Sequence, residues 1–146
     1  MGYSVGMSDR EAELEQSRRL SRMLILVAER AKMTFAESVS PFGLPVPLAR
    51  ALLVLATPTP MRELADHLAC DPSYITGLAD QLEERGLARR CPGTDRRVKL
   101  LEATQEGFAL RDRISLAVTE RAFITQRLDP PERETLARLL EQILDE

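Results

Sequence analysis

A helical pattern too long for the chain that carries it constrains the fold most. Between Asp9 and Ser40, the residues Leu20, Met23, Leu24, Val27, Ala31, Phe35 and Val39 recur at steps of three or four, the spacing of one helix face. Ser8 or Asp9 is placed to cap this helix, and Glu11 and Glu13 suit the positive end of its dipole. Pro41 and Gly43 stop it. About 30 residues in helical form span roughly 45 Å, more than the core of a 146-residue protomer can cover. The excess apolar stripe is expected to need a partner.

Several function classes fall away on composition. With 44% hydrophobic residues the chain can bury a core. No apolar run exceeds six residues, the length of Ala51–Ala56, against the roughly 20 that cross a bilayer. Met1–Glu11 shows neither a basic start nor an apolar segment, and two cysteines make no disulfide scaffold, so a cytoplasmic protein is expected. Four Phe, two Tyr and no Trp argue against a base-stacking surface for single strands. Charge is unevenly spread. Arg85, Arg89, Arg90, Arg96, Arg97 and Lys99 face one acid, Asp95, within fifteen residues, in a chain of net charge −3. A compact positive patch on an acidic body is an electrostatic footprint for a polyanion.

The middle of the chain reads as a winged module. Pro45 and Pro47 open an apolar helix, Pro47–Ala56; Thr59 is expected to cap Met61–Leu68, with Pro60 in its first turn. After Ala69–Cys70–Asp71 comes a helix over Pro72–Arg85, with Asp71 as cap and Gly86 just beyond its end. Ile75, Leu78, Ala79 and Leu82 form its buried face, leaving Ser73, Tyr74, Thr76, Gly77, Asp80 and Gln81 outward. Two short helices so joined match a helix-turn-helix. The strand-like runs Leu87–Cys91 and Val98–Ala103 enclose the Pro92–Gly93 turn and a basic tip, a wing. Thr104 caps a helix expected over Gln105–Leu128; Asp129 and Glu132 have capping-box spacing before Pro131–Leu144. The expected fold is mainly α with a small β wing: a winged helix-turn-helix over 47–104, and a helical dimerisation region over 9–40 and 105–146.

In such a module the start of the second helix faces base edges in the major groove. Ser73 and Thr76 offer hydroxyls, Tyr74 a hydroxyl and a ring, and Gln81 completes the outward face. Gly77 costs about 1 kcal/mol against alanine in mid-helix, which close approach of a DNA backbone would explain. In the wing, an arginine of Arg96–Arg97 suits the narrow minor groove, and Asp95 suits a positioner that holds its guanidinium.

The runs Met61-Arg-Glu-Leu-Ala-Asp-His-Leu, Asp71-Pro-Ser-Tyr-Ile-Thr-Gly-Leu, Leu82-Glu-Glu-Arg-Gly-Leu, Asp95-Arg-Arg-Val-Lys-Leu and Thr104-Gln-Glu-Gly resemble the MarR family of bacterial transcriptional regulators. The resemblance extends over essentially the whole chain. It implies a homodimer built from the terminal helices, bound to double-stranded DNA at a pseudo-palindromic operator with half-sites about 10 bp apart. By position it carries DNA contact to Ser73, Tyr74, Thr76 and Gly77 and to the wing residues Asp95, Arg96 and Arg97. Tyr74 stands where relatives often have a smaller polar residue, which bears on base preference. It also implies a repressor released by a small phenolic or anionic ligand, with Met33, Phe35, Phe42 and Leu52 as pocket candidates. A thiol sensor at Cys70 or Cys91, a metal held by His67, Cys70 and Cys91, and a winged module that binds protein instead of DNA are the alternatives. No catalytic constellation and no cofactor motif stands out, so neither an enzyme nor a cofactor is expected.

Overall fold

The computed structural model describes residues 5–145. Met1–Ser4, part of the stretch read above for a leader pattern, lie outside the described residues. In chain order the elements are α1 (Val5–Val39), a single 3-10 turn (Ser40–Phe42), α2 (Val46–Val54), β1 (Thr59–Pro60), α3 (Met61–His67), α4 (Pro72–Glu84), β2 (Ala88–Pro92), β3 (Lys99–Ala103), α5 (Gln105–Glu120), α6 (Phe123–Arg127) and α7 (Pro130–Leu144). The fold is a winged helix: mainly helical, with a three-stranded antiparallel sheet in the order β1-β3-β2.

The core lies under the helix-turn-helix. Leu48, Leu52 and Leu55 from α2 and its end meet Leu64 of α3, the Ile75, Leu78, Ala79 and Leu82 face of α4, Leu101 of β3 and Ile114 of α5. The four apolar residues of α4 are buried as their spacing requires. Near the other end of α1, the side chains of residues 8–30 are all exposed, including Leu20, Met23, Leu24, Ile25, Leu26 and Val27. Only the last two turns of the helix reach the core, through Ser38 and Val39.

Three local expectations are corrected. Ser8 and Asp9 do not cap α1, because the helix already runs from Val5; no proline interrupts the chain upstream of them. Thr59 does not cap α3. It is a buried strand residue opposite Leu101, its hydroxyl donates to the Thr57 carbonyl at 2.8 Å, and Pro60 takes the cap position without a side-chain bond. The helix from Gln105 does not reach Leu128. It ends at Glu120, Ala122 leaves helical geometry (ψ 89°), and the five-residue α6 begins at Phe123. The Thr119 hydroxyl donates to the Ser115 carbonyl at 2.8 Å, a back-bond that bends helices. The break turns Phe123 toward α1, where the Arg30 guanidinium lies 4.9 Å from its ring centre.

One junction joins α4, the wing and α5. Leaving α4, Gly86 adopts φ 71°, and the Gly86 and Leu87 N–H groups donate back to the Glu83 and Leu82 carbonyls, both at 2.9 Å. This is the paired closure that a left-handed glycine permits. Thr104 then reads the same two residues: its hydroxyl donates to the Gly86 carbonyl at 2.6 Å and its N–H to the Leu87 carbonyl at 3.0 Å. Gly107, whose N–H donates to the Thr104 hydroxyl, packs so closely that a Cβ there would lie 1.9 Å from the Leu87 carbonyl oxygen. The Thr-x-x-Gly motif is therefore a joint. Replacing Gly107 with alanine should destabilise the protein by about 2 kcal/mol or more, despite alanine's better helix propensity. Urea denaturation at fixed protein concentration reads this, and an unchanged midpoint contradicts it.

Candidate nucleic-acid interface

The site begins at the turn between α3 and α4. Ala69, with φ 50°, reverses the chain tightly, and Asp71 caps α4. Its Oδ1 accepts from the Ser73 N–H at 2.9 Å and from the Ser73 hydroxyl at 2.7 Å. These bonds favour the ionised carboxylate and hold the Asp71 pKa below its ordinary value, the hydroxyl bond counting most. The Ser73 hydroxyl has thus spent its proton within the cap and faces outward as an acceptor. Tyr74, Thr76, Gly77, Asp80 and Gln81 follow it along the exposed side of α4. Nothing lies within 4 Å of the position a Cβ on Gly77 would take, so no contact inside the chain asks for that glycine.

The wing stands beside this face. β2 and β3 pair from Ala88↔Ala103 to Pro92↔Lys99. The hairpin closes with the Gly93 N–H donating to the Val98 carbonyl at 2.9 Å and the Val98 N–H to the Asp95 carbonyl at 3.0 Å. Arg96 and Arg97 are therefore the two central residues of a tight turn. Asp95 Oδ1 accepts from the backbone N–H of Arg97 at 3.1 Å. It shapes the tip through the backbone; no bond links it to the guanidinium of Arg96 or Arg97, the contact expected from the sequence for one of the two.

The six basic residues of Arg85–Lys99 fall into two groups. Arg89 Nε donates across the ladder to Glu102 Oε1 at 2.5 Å. Arg90 turns toward α4: Nη2 donates to Asp80 Oδ1 at 2.6 Å and to the Thr76 carbonyl at 3.3 Å, and Nη1 lies 2.9 Å from Glu83 Oε2. The bond to Asp80 leads the causes that raise the Arg90 pKa above its ordinary value, so it stays cationic. Arg85, Arg96, Arg97 and Lys99 are exposed and make no ion pair among the described residues. The pairing of Arg90 with Asp80 and Glu83 escaped sequence reasoning, because no helical or strand period relates β2 to α4.

Residues proposed from sequence for a ligand pocket do not gather. Leu52 is fully buried in the core and Met33 is 63% exposed. Phe42 lies under the Arg113 guanidinium, 5.2 Å from its ring centre. Phe35 alone of the four lines a cavity of about 240 Å³, shared with Ala31, Thr34, Ser38, Val118 and the Ala122–Ile124 corner. The cavity exists because α5 breaks, which sequence periodicity did not reveal. Among the described residues no group of three His, Cys, Asp or Glu side chains is placed to hold a metal. Cys70 and Cys91 are free thiols, each half-buried, and the arginines beside Cys91 are engaged by carboxylates.

A helix-turn-helix with an exposed polar second helix, beside a hairpin tipped by unpaired arginines, defines a winged-helix protein of the nucleic-acid-binding class. The family model described as MarR family matches residues 55–99. The chain is 31% identical to a MarR-family transcriptional regulator from Rhodococcus sp. RHA1, over 87% of this chain and 93% of that one, with a TM-score of 0.73. It is 32% identical to CouR from Rhodococcus jostii RHA1, solved with p-coumaroyl-CoA, over 87% and 92% of the two chains, with a TM-score of 0.78. It is 25% identical to a mutant MarR from E. coli complexed with operator DNA, over 87% and 94%, with a TM-score of 0.72. No curated protein matches the sequence. The chain belongs to the MarR family of transcriptional regulators.

The Asp71 cap gives a pH test. Because its folded pKa is depressed, its contribution to stability is present above the unfolded carboxylate pKa and fades as pH falls through the folded value. An Asp71→Ala variant should be less stable than the parent at neutral pH, with the gap closing at acid pH well below the ordinary aspartate value. Thermal unfolding at both pH values measures it; a gap independent of pH counts against the cap.

Proposed function

We propose that two copies of this chain bind a pseudo-palindromic duplex as a sequence-specific repressor, released by a small phenolic or anionic ligand. In this reading α4 enters successive major grooves, with Ser73, Tyr74, Thr76, Gly77 and Gln81 toward the bases and backbone, while Arg96 and Arg97, set by Asp95, probe the flanking minor groove. The observation that carries it is the pair of unpaired arginines at the turn of a hairpin that is bonded to the same helix whose polar face is exposed. The E. coli relative solved with operator DNA supports it.

Pairing of two chains is supported by the apolar surface left on the terminal helices. Met23, Leu24, Ile25, Leu26 and Val27 occupy consecutive positions and all are exposed. Five successive helical residues surround the helix axis, so a second copy must enclose this segment and not merely touch one face. Leu139, Leu140 and Ile143 of α7 are exposed as well. These residues divide the chain into a winged module over 47–104 and a dimerisation region over 9–40 and 105–146. Release by a ligand is supported by the cavity lined by Phe35 and Phe123, which at about 240 Å³ lies just below the range of about 300–1,000 Å³ usual for ligand sites, and by the p-coumaroyl-CoA in the CouR structure.

The decisive experiment is selection of duplexes from a random pool with the purified protein, followed by salt titration of the winner. Four unpaired cations per protomer give eight per pair, so the logarithm of affinity should fall against that of salt with a slope of up to about −7. Changing Arg97 to alanine should weaken binding at least tenfold and flatten the slope by about two, one phosphate equivalent per protomer. An unchanged slope would falsify contact by this arginine, and failure to enrich any sequence would end the specific-DNA reading. Gly77→Ala separates two roles. It should raise stability by about 1 kcal/mol while reducing affinity if the DNA backbone passes over that position; stabilisation with unaltered affinity removes Gly77 from the interface.

A further inference from the structure

Asp80 is an acid on the side of α4 meant for DNA, one turn beyond Thr76 and Gly77, with its side chain 57% exposed. Glu83 follows it on the same side, 35% exposed. Carboxylates there would repel phosphates, and neither caps the helix, whose N-cap is Asp71. Both turn instead to one cation from another element. Arg90 lies on β2, and its side chain is only 24% exposed. It fills the angle between the wing and α4 with four bonds: backbone N–H to Glu83 Oε1 at 2.8 Å, Nη1 to Glu83 Oε2 at 2.9 Å, and Nη2 to both Asp80 Oδ1 at 2.6 Å and the Thr76 carbonyl at 3.3 Å.

We propose that Arg90 is a positioning residue for DNA recognition: it fixes the wing at one angle to α4, so that the Arg96–Arg97 turn and the outward face of α4 address the duplex as one rigid reader. The proposal rests on the DNA-binding reading above and deepens it. The geometry supports fixing over direct contact. A guanidinium engaged by two carboxylates and a carbonyl has little charge left to offer a phosphate, whereas a planar fork with several fixed partners resists rotation of the hairpin. The other ties between wing and helix, the Arg85–Leu87 connection and the packing of Ala88 and Leu101 in the core, hold the base of the hairpin and leave the lean of its far end to the Arg90 bonds. The tip lies several residues beyond Arg90, so a small change of angle at β2 moves Arg97 by a larger distance. Specificity that depends on simultaneous engagement of two grooves is sensitive to that displacement.

The test uses the charge-balanced double variant Arg90→Met with Asp80→Asn, which removes one positive and one negative charge and so leaves the net charge unaltered. Binding to the selected duplex and to a random duplex is titrated with salt, beside the parent and Arg97→Ala. The expected result is at least a tenfold loss on the selected duplex, a near-unchanged affinity for the random one, and the parental salt slope. A slope flattened by about two, as for Arg97→Ala, would show Arg90 on a phosphate and overturn the proposal, as would undiminished discrimination. Residual dipolar couplings of the wing and α4 amides are measured on the free protein. They should report one fixed orientation in the parent and an averaged one in the variant; identical orientations overturn the proposal. This second arm does not involve DNA. If the parent enriches no duplex, the DNA-binding reading fails while the couplings still decide whether Arg90 fixes the wing. Where the double variant does not fold, Asp80→Ala takes its place. Removing an acid from a DNA-facing helix should tighten binding on charge alone, so weaker discrimination there supports positioning and tighter binding with parental discrimination refutes it.

Discussion

The structure depends on the contact of α5 with the carbonyls of Gly86 and Leu87. At that point α4 has just ended, β2 is about to begin and α5 starts, so three directions are set within a few residues. Thr104 bonds both carbonyls, and Gly107 lets the helix approach to a distance at which any side chain would collide. Hydroxyl bonds of this kind contribute about 1 kcal/mol each, but their geometric effect exceeds their energetic one. Arg111 adds a second tie, its Nε donating to the Leu53 carbonyl at 3.2 Å. The winged module cannot turn relative to the first turns of α5 without breaking these bonds together.

Such a joint decides where relative motion can occur. Beyond Ile114 the contacts of α5 loosen, and the helix breaks at Arg121 before α6 folds back against α1. The cavity lies at this break, between the last turns of α1 and the corner of α6. An ion pair nearby, Arg121 with Glu37 at 3.8 Å, is exposed on both sides and contributes little. The region best suited to rearrange is thus separate from the region that reads DNA, and the stiff half of α5 connects them.

Much of this organisation was legible in the sequence because it follows from local rules. Asp71, Pro72 and Gly86 bound α4 through capping chemistry, the spacing of Ile75, Leu78, Ala79 and Leu82 gave its buried face, and Asp129 with Glu132 forms the capping box that their spacing implied. What escaped was tertiary in origin. No glycine or proline marks the end of α5, and the contact of Phe123 with Arg30 of α1 beyond it has no local sequence signature. Thr59 had the chemistry of a cap, but pairing with Leu101 in β3 claimed it for the sheet. Leu52 and Phe35 both looked like apolar helix positions; tertiary packing buries the first in the core and places the second at the core's edge, facing the cavity. The exposed polar residues of α4 were identified from what remained after burial was assigned, a procedure that shows which side chains face outward but not which are already engaged.

That limit matters most for charge. Counting Arg85–Lys99 as a uniform basic patch treats every guanidinium as available to a polyanion. In the fold, Arg89 and Arg90 are engaged by acids from β3 and α4, and the residues that stay unpaired lie at the turn of the wing and at the ends of α4 and β3. Pairing two cations lowers the general attraction for phosphate, which is independent of sequence. Of the four cations that remain, three, Arg96, Arg97 and Lys99, lie on the hairpin, where their placement depends on its angle. In a chain of net charge −3 such pairing weakens any attraction that does not depend on fit, and the acids on α4 are part of that arrangement because they hold Arg90.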